Sequence, residues 1–188
     1  HAAETGATVP SEPIVFLKSL SALCGPNDDI VVPPSSVKTD WEAELAIVIG
    51  SVTRRVSQAE ALDHIAGYAT ANDVSEREWQ SERGGAWDKG KGFDSFGPLG
   101  PWLVTKDEVA NPQTLDVMCD IDGKAMQRGN TRTMIFGVAK LVSYVSQCFT
   151  LYPGDVISTG TPPGVGVGRK PPVFLHGGER LRCGVAGL

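Results

Sequence analysis

Two carboxylates, Glu42 and Glu44, lie two residues apart in the stretch Trp41-Glu42-Ala43-Glu44-Leu45-Ala46-Ile47-Val48-Ile49-Gly50. Apolar and β-branched residues dominate it and Gly50 closes it, which predicts a buried strand. Side chains alternate along a strand, so both glutamates share one face, continued by Ala46 and Val48. Adjacent acids entering a core repel each other and lose hydration, at a cost of several kcal/mol for even one unpaired charge. Basic partners, raised pKa values or a bound cation are the three ways to offset that cost. An edge strand with both glutamates in water is the alternative.

Other residues also have types and spacings suited to chemistry. Asp73, Arg77 and Gln80 follow each other by four and then three positions. A helix opening at the capping pattern Ser75-Glu76-Arg77-Glu78 would line them along its side and its start. An acid, a guanidinium and an amide there can hold a metal and a polar anion, or the acid can be an ordinary helix-terminus charge. His1 and Glu4 share a helical face at i and i+3, a pairing in which a carboxylate orients an imidazole as a general base. A frayed end with two solvated groups has the same spacing. Lys91 is the cation to watch in the glycine-rich residues 84–100, a long loop in which most lysines are solvated. Thr161, in Thr159-Gly160-Thr161-Pro162-Pro163-Gly164, adds a hydroxyl to backbone N–H groups that glycines leave approachable. That is a place for a carboxylate, or a plain turn.

The elements that must carry these groups follow from pattern. Residues 7–40 are rich in Pro and Ser, with apolar pieces at 14–17 and 30–32 that read as strand fragments around the turn Gly25-Pro26-Asn27-Asp28. Ser57-Gln58-Ala59-Glu60 is a capping box opening a helix to about Ile65, with His64 on it and no chemistry assigned. Residues 66–74 read as a strand ending in Asn72-Asp73. Residues 115–121 and 125–127 form a hairpin around Asp122-Gly123. From about residue 131 to 150, Met134, Val138, Leu141, Val145 and Cys148 recur at helical spacing, so their stripe faces the core. Tyr152-Pro153-Gly154-Asp155 turns into a strand at 156–158.

With 188 residues, 41% of them hydrophobic, the chain can bury the core of one domain. A net charge of −5 with scattered basic residues argues against nucleic acid as a partner. No apolar run reaches the roughly 20 residues that span a bilayer and there is no secretory h-region, so no membrane association and a cytoplasmic location are expected. Cys24, Cys119, Cys148 and Cys183 lie far apart without zinc spacing, which predicts buried free thiols in a reducing compartment. Neither phosphate-binding glycine motif is present. The chain opens on His1 and stops at Leu188 just after an apparent strand, so flanking residues are expected beyond both ends.

Taken in order, His1-Ala2-Ala3-Glu4, Glu42-Ala43-Glu44, Asn72-Asp73-Val74-Ser75-Glu76-Arg77, Lys91-Gly92-Phe93-Asp94, Phe96-Gly97-Pro98-Leu99-Gly100-Pro101-Trp102, Asn130-Thr131 and Pro153-Gly154-Asp155-Val156-Ile157-Ser158-Thr159-Gly160-Thr161-Pro162 resemble the fumarylacetoacetate hydrolase family across nearly the whole chain. The resemblance implies an α+β fold, a mixed β-sandwich roll with a few peripheral helices, forming one catalytic domain over residues 1–188. It implies Glu42, Glu44 and Asp73 as ligands of Mg²⁺ or Mn²⁺, since all-oxygen ligation suits hard dications and not zinc. His1 and Glu4 become a water-activating dyad on a lid at residues 1–8, and Lys91 a catalytic cation. Arg77, Gln80 and Thr161 match positions that hold substrate oxygens. Family members are usually dimers, so a homodimer is expected.

The implied reaction is hydrolysis of a C–C bond in a 2,4-diketo acid, giving pyruvate and a carboxylic acid. The runs from Lys89 to Trp102 and from Thr131 to Gly137 look most like the branch acting on 2,4-diketo-3-deoxy sugar acids, the 2,4-diketo-3-deoxy-L-rhamnonate hydrolase type, often labelled ureidoglycolate lyase. Two other readings stay open. One is an isomerase or decarboxylase of 2-hydroxy-dienedioates or oxaloacetate, and the other is a metal- or sugar-acid-binding module without catalysis.

Overall fold

In the computed structural model, Glu4, Gly6 and residues 8–188 are described. The predicted central strand is β3, Ala43–Ile49. It is not an edge: it pairs antiparallel with β4 (Ile65–Asn72) on one side and β10 (Val156–Ser158) on the other. The short strand β7 (Val104–Thr105) completes a four-stranded sheet ordered β10-β3-β4-β7. The hairpin expected around Asp122-Gly123 is β8 (Asp116–Ile121) and β9 (Lys124–Asn130). Strand β11 (Leu181–Val185) adds to β8 to give a second, three-stranded antiparallel sheet.

The two sheets face each other as a sandwich. Alternation sends Ala43, Leu45, Ile47 and Ile49 of β3 into the shared core with Val117, Cys119 and Ile121 of β8 and Val185 of β11. Helix α2, Val138–Cys148, covers the core with Val138, Val142 and Val145. The architecture is therefore the mixed α+β sandwich with few helices that the resemblance implies.

Several local expectations are corrected. The residues 14–17 and 30–32 pieces form no strand; the strands in this region are β1 (Leu23–Cys24) and β2 (Thr39–Asp40), whose partners come from later in the chain, β6 (Gly97–Pro98) parallel to β1 and β5 (Ser75–Glu76) antiparallel to β2. The helix predicted to end near Ile65 is only the 3₁₀ turn Ala61–His64, although Glu60 does accept hydrogen bonds from the backbone and hydroxyl of Ser57. Pairing of Ile65 with Ile49 claims the chain for β4 one turn later. The long helix begins at Val138, because Asn130 caps a separate 3₁₀ turn, Thr131–Thr133. Cys148, expected in the core stripe, is exposed, and of the four cysteines Cys119 alone is fully buried.

Candidate active site

Register brings the acids together. Glu44 lies opposite Ala71 and Ala46 opposite Ala69, so the even residues of β3 and the odd residues of β4 share the sheet face turned away from the core. Ala46, Ala69 and Ala71 line it with small side chains, packed against Leu99. One step beyond the pairing of Ala43 with Asn72, Glu42 stands opposite Asp73, whose N–H donates to the Glu42 carbonyl at 2.8 Å. One carboxylate oxygen from each of Glu42, Glu44 and Asp73 lies within 4.8 Å of the others, and all three residues are at most 5% exposed.

Arg77 and Gln80 arrive differently from the prediction. Ser75-Glu76 is a strand, not a helix start, and the turn that follows is a π-helical one, Glu78–Glu82, preceded by Arg77. Glu76, not Ser75, caps it, accepting from Trp79 N–H at 2.8 Å. The spacing still holds: Arg77 Nη1 donates to Gln80 Oε1 at 3.1 Å and to Glu42 Oε1 at 2.6 Å.

Lys91 is not on a loop. It ends the single helical turn α1, Asp88–Lys91, and is 1% exposed. Gly90 permits the close approach, because a Cβ there would lie 2.5 Å from Gln80 N and Glu76 O. Lys91 Nζ donates to Glu42 Oε2 at 2.9 Å and Asp73 Oδ2 at 2.7 Å. Lys18, which no spacing in the sequence marks, donates to Asp73 Oδ1 at 2.6 Å.

These contacts divide the acids. Burial pushes the Glu42 carboxyl up, but Lys91 and Arg77 together outweigh it and hold it at about 2. Burial raises Glu44 well above the ordinary carboxylate range, and the neighbouring Asp73 and Glu42 charges raise it further. No lysine or arginine hydrogen-bonds Glu44 among the described residues; its Oε2 accepts the Gly160 N–H at 2.8 Å. Burial opposes the charge on Lys91, yet Asp73 and Glu42 carry its pKa upward.

The turn after β10 meets carboxylates as its glycines suggest, but the acids are the protein's own. Gly160 N–H holds Glu44, and Gly164 N–H holds Glu4 Oε2 at 2.8 Å. Gly164 has φ +112°, and a Cβ there would lie 2.1 Å from Met126 O. Thr161 donates its hydroxyl to Ala43 O at 2.9 Å and accepts from Gln127 Nε2 at 2.7 Å. In this arrangement it has no proton to offer a ligand. His1 lies outside the described residues, so its pairing with Glu4 does too.

Asp40 is the other residue that sequence reading missed. Fully buried, it accepts from Arg77 Nε at 2.8 Å, Gly166 N–H at 2.6 Å, Val167 N–H at 3.0 Å and its neighbour Trp41 N–H at 2.8 Å. Extending the Glu42/Glu44 alternation back by two residues would have found it.

The donor set fits a hard dication. Three buried carboxylates, with one oxygen of each within 4.8 Å of the others, offer the all-oxygen ligation such an ion takes, and Lys91 and Lys18 supply positive charge to two of them here. Glu44, buried without a basic partner, is the acid that needs a counter-charge or a proton. Arg77 Nη2 is also buried with no hydrogen-bond partner among the described residues, as a donor waiting for a ligand oxygen would be. Among the described residues no helix is long and apolar enough to cross a membrane.

Known proteins share this arrangement of chain. A relative from Burkholderia lata, whose name says only that it is taken for a hydrolase, is 65% identical over 189 residues, covering 100% of this chain and 67% of its own. A 2-hydroxyhepta-2,4-diene-1,7-dioate isomerase from Mycobacterium marinum superposes with a TM-score of 0.87 at 39% identity, covering 95% of this chain and 67% of that one. A fumarylacetoacetate hydrolase from Exiguobacterium antarcticum does so with a TM-score of 0.89 at 39% identity, covering 93% of this chain and 63% of that one. The model of the fumarylacetoacetate hydrolase C-terminal domain matches residues 1–188, and the chain belongs to that family.

Proposed function

We propose that the chain is a divalent-metal-dependent hydrolase that cleaves a 2,4-diketo acid, an acylpyruvate or a 2,4-diketo-3-deoxy sugar acid, to pyruvate and a carboxylic acid. The observation that carries this reading is the buried cluster of Glu42, Glu44 and Asp73, with Lys91 bonded to two of its members. Glu42, Glu44 and Asp73 would hold Mg²⁺ or Mn²⁺, which would supply Lewis acidity toward a keto acid. Glu4, whose carboxylate accepts the Gly164 N–H, is the base that takes a proton from water in this reading, with His1 as the proposed second member of the dyad. The water oxygen adds to C4, the C3–C4 bond breaks with its electron pair on C3, and a proton is returned to C3. Lys91 places positive charge beside that developing anion. Arg77 Nη2 and the Gln80 amide are donors for substrate oxygens. Thr161 fixes the turn that presents Gly160 and binds substrate directly once its hydroxyl turns from Ala43.

The test is pyruvate release from a panel of 2,4-diketo acids with and without Mg²⁺ or Mn²⁺. Metal-dependent release that Glu44→Gln lowers at least a hundredfold is expected; no release from any acylpyruvate overturns the reading. Metal binding has its own readout. At a hundredfold excess over Kd the ion adds about 2.7 kcal/mol of stability, which the Glu44→Gln variant should lack.

A second reading is favoured by the isomerase among the similar structures, at the same 39% identity as the hydrolase. Isomerisation of a 2-hydroxy-dienedioate moves a proton without attacking water. Glu4→Ala separates the two: lost pyruvate release supports hydrolysis, and retained ketonisation with no pyruvate from the parent chain supports isomerisation.

A further inference from the structure

Cys119 and Cys183 stand directly opposite each other on β8 and β11, with Sγ atoms 3.6 Å apart. The register decides what such a pair can do. Asp122 N–H donates to Arg180 O and Ala186 N–H donates to Asp116 O, so these two directly opposed pairs are of the hydrogen-bonded kind. Kinds alternate along an antiparallel ladder. Counting inward from either end, 118/184 and 120/182 are hydrogen-bonded, and 117/185, 119/183 and 121/181 are not. Non-hydrogen-bonded partners have Cα atoms about 4.5 Å apart with their side chains at closest approach. A disulfide spans Cα separations of about 4.4–6.8 Å. Both thiols belong to the face between the sheets, Cys119 fully buried and Cys183 half-buried.

We propose that Cys119 and Cys183 form a peroxide-oxidisable dithiol that closes to a cross-strand disulfide without rearranging the sheet. The half-buried Cys183 reacts first: it gives up its proton, the thiolate attacks one oxygen of hydrogen peroxide, the O–O bond breaks, and the sulfenic acid forms as hydroxide leaves and takes up that proton to become the first water. Cys119 then attacks the sulfenic sulfur, its proton leaves with the displaced hydroxyl as a second water, and the S–S bond forms. In sum, two thiols and one peroxide give one disulfide and two waters. A peroxide meets the half-buried Cys183 before Cys119, whose thiol pKa is held up by its contact with Cys183 and by burial, so Cys119 is the second sulfur to react and does so through its contact with Cys183. Cys24 hydrogen-bonds the Ser95 carbonyl and Cys148 is exposed on α2, so each lies outside this pair. The staple would join the last strand of the second sheet to its middle strand across 64 positions of chain. That closure stabilises the folded chain against the unfolded one.

The experiment is a titration of the full chain with hydrogen peroxide under native conditions, followed by thiol blocking and peptide mapping. The expected result is loss of two hydrogens from the intact mass, a linked Cys119–Cys183 peptide that dithiothreitol separates, and a melting temperature several degrees above that of the reduced chain. Cys183→Ser should lose all three. The half-buried Cys183 is chosen because serine is tolerated there better than at Cys119, and mapping the unmodified chain needs no variant at all. Cys183 carried to sulfinic or sulfonic acid with no linked peptide overturns the proposal, as does a disulfide that joins Cys148 to another molecule while the pair stays reduced. Neither result depends on which substrate the acidic cluster serves.

Discussion

Asp40 shows how one side chain can govern a site it does not line. Its two oxygens accept four N–H groups, from Arg77, Trp41, Gly166 and Val167. Arg77 in turn holds Glu42, and the same turn of chain offers Gly164 N–H to Glu4. Asp40 therefore joins the chain that carries the acids to the loop whose Gly164 N–H holds the candidate base, Glu4. Burial raises its pKa even against the pull of Arg77, so the charge is kept at some cost by those four donors. In Asp40→Asn one oxygen becomes an NH₂ that faces donors whichever way the amide turns. Hydrogen bonds to charged groups contribute about 1.5–3 kcal/mol each, so a loss of about 3 kcal/mol is expected, read as a lower urea midpoint. Legibility at this scale depended on parity. Glu42 and Glu44 were readable because they alternate along one continuous strand; Lys18 was not, because it reaches Asp73 from a segment without repeating pattern.

At the scale of elements, the site depends on two short pieces packed almost in contact, α1 and the π-helical turn. A lone turn of four residues has no stability of its own, so packing must hold Lys91 in place. Gly90 makes that packing possible, and its missing side chain is the space that Gln80 N and Glu76 O occupy. Gly90→Ala should drive α1 outward and withdraw Lys91 Nζ from Glu42 and Asp73. Overpacking of this kind costs about 1–3 kcal/mol. Activity on any accepted diketo acid should fall by at least tenfold in kcat, while Gly85→Ala, with nothing within 4 Å of its Cβ but φ +73°, should show a stability loss without the kcat effect. The sequence marked residues 84–100 as irregular because four glycines in the first nine positions mask a helical turn only tertiary contact supports. Long patterned elements, β3, β4, the β8–β9 hairpin and α2, were readable because burial on one face imposes a period on the sequence. Two-residue strands such as β2 and β5 impose none.

For the whole molecule, what holds the acids at one face is the sandwich on the other. Tyr68 of β4 lies in the shared core, 3% exposed, on the strand that supplies Asp73 at its end. Burial pushes its phenol from an ordinary value near 10 up to about 12. The native state thus keeps a proton that the unfolded chain gives up between those values. With more protons bound when folded, stability falls as pH rises through the window. The contribution is fully present below about pH 10 and is lost by about pH 12, amounting to at most about 2 kcal/mol once solvent screening is allowed for. Tyr68→Phe has no proton to lose, so its unfolding free energy should decline less than that of the parent chain between pH 10 and pH 12, with the two parallel at pH 7 to 9. Urea denaturation at a series of pH values reads the difference. Parallel curves through pH 12 would mean that the ring ionises without leaving the sandwich, and that the two sheets do not form the dry interface on which the position of Asp73 depends.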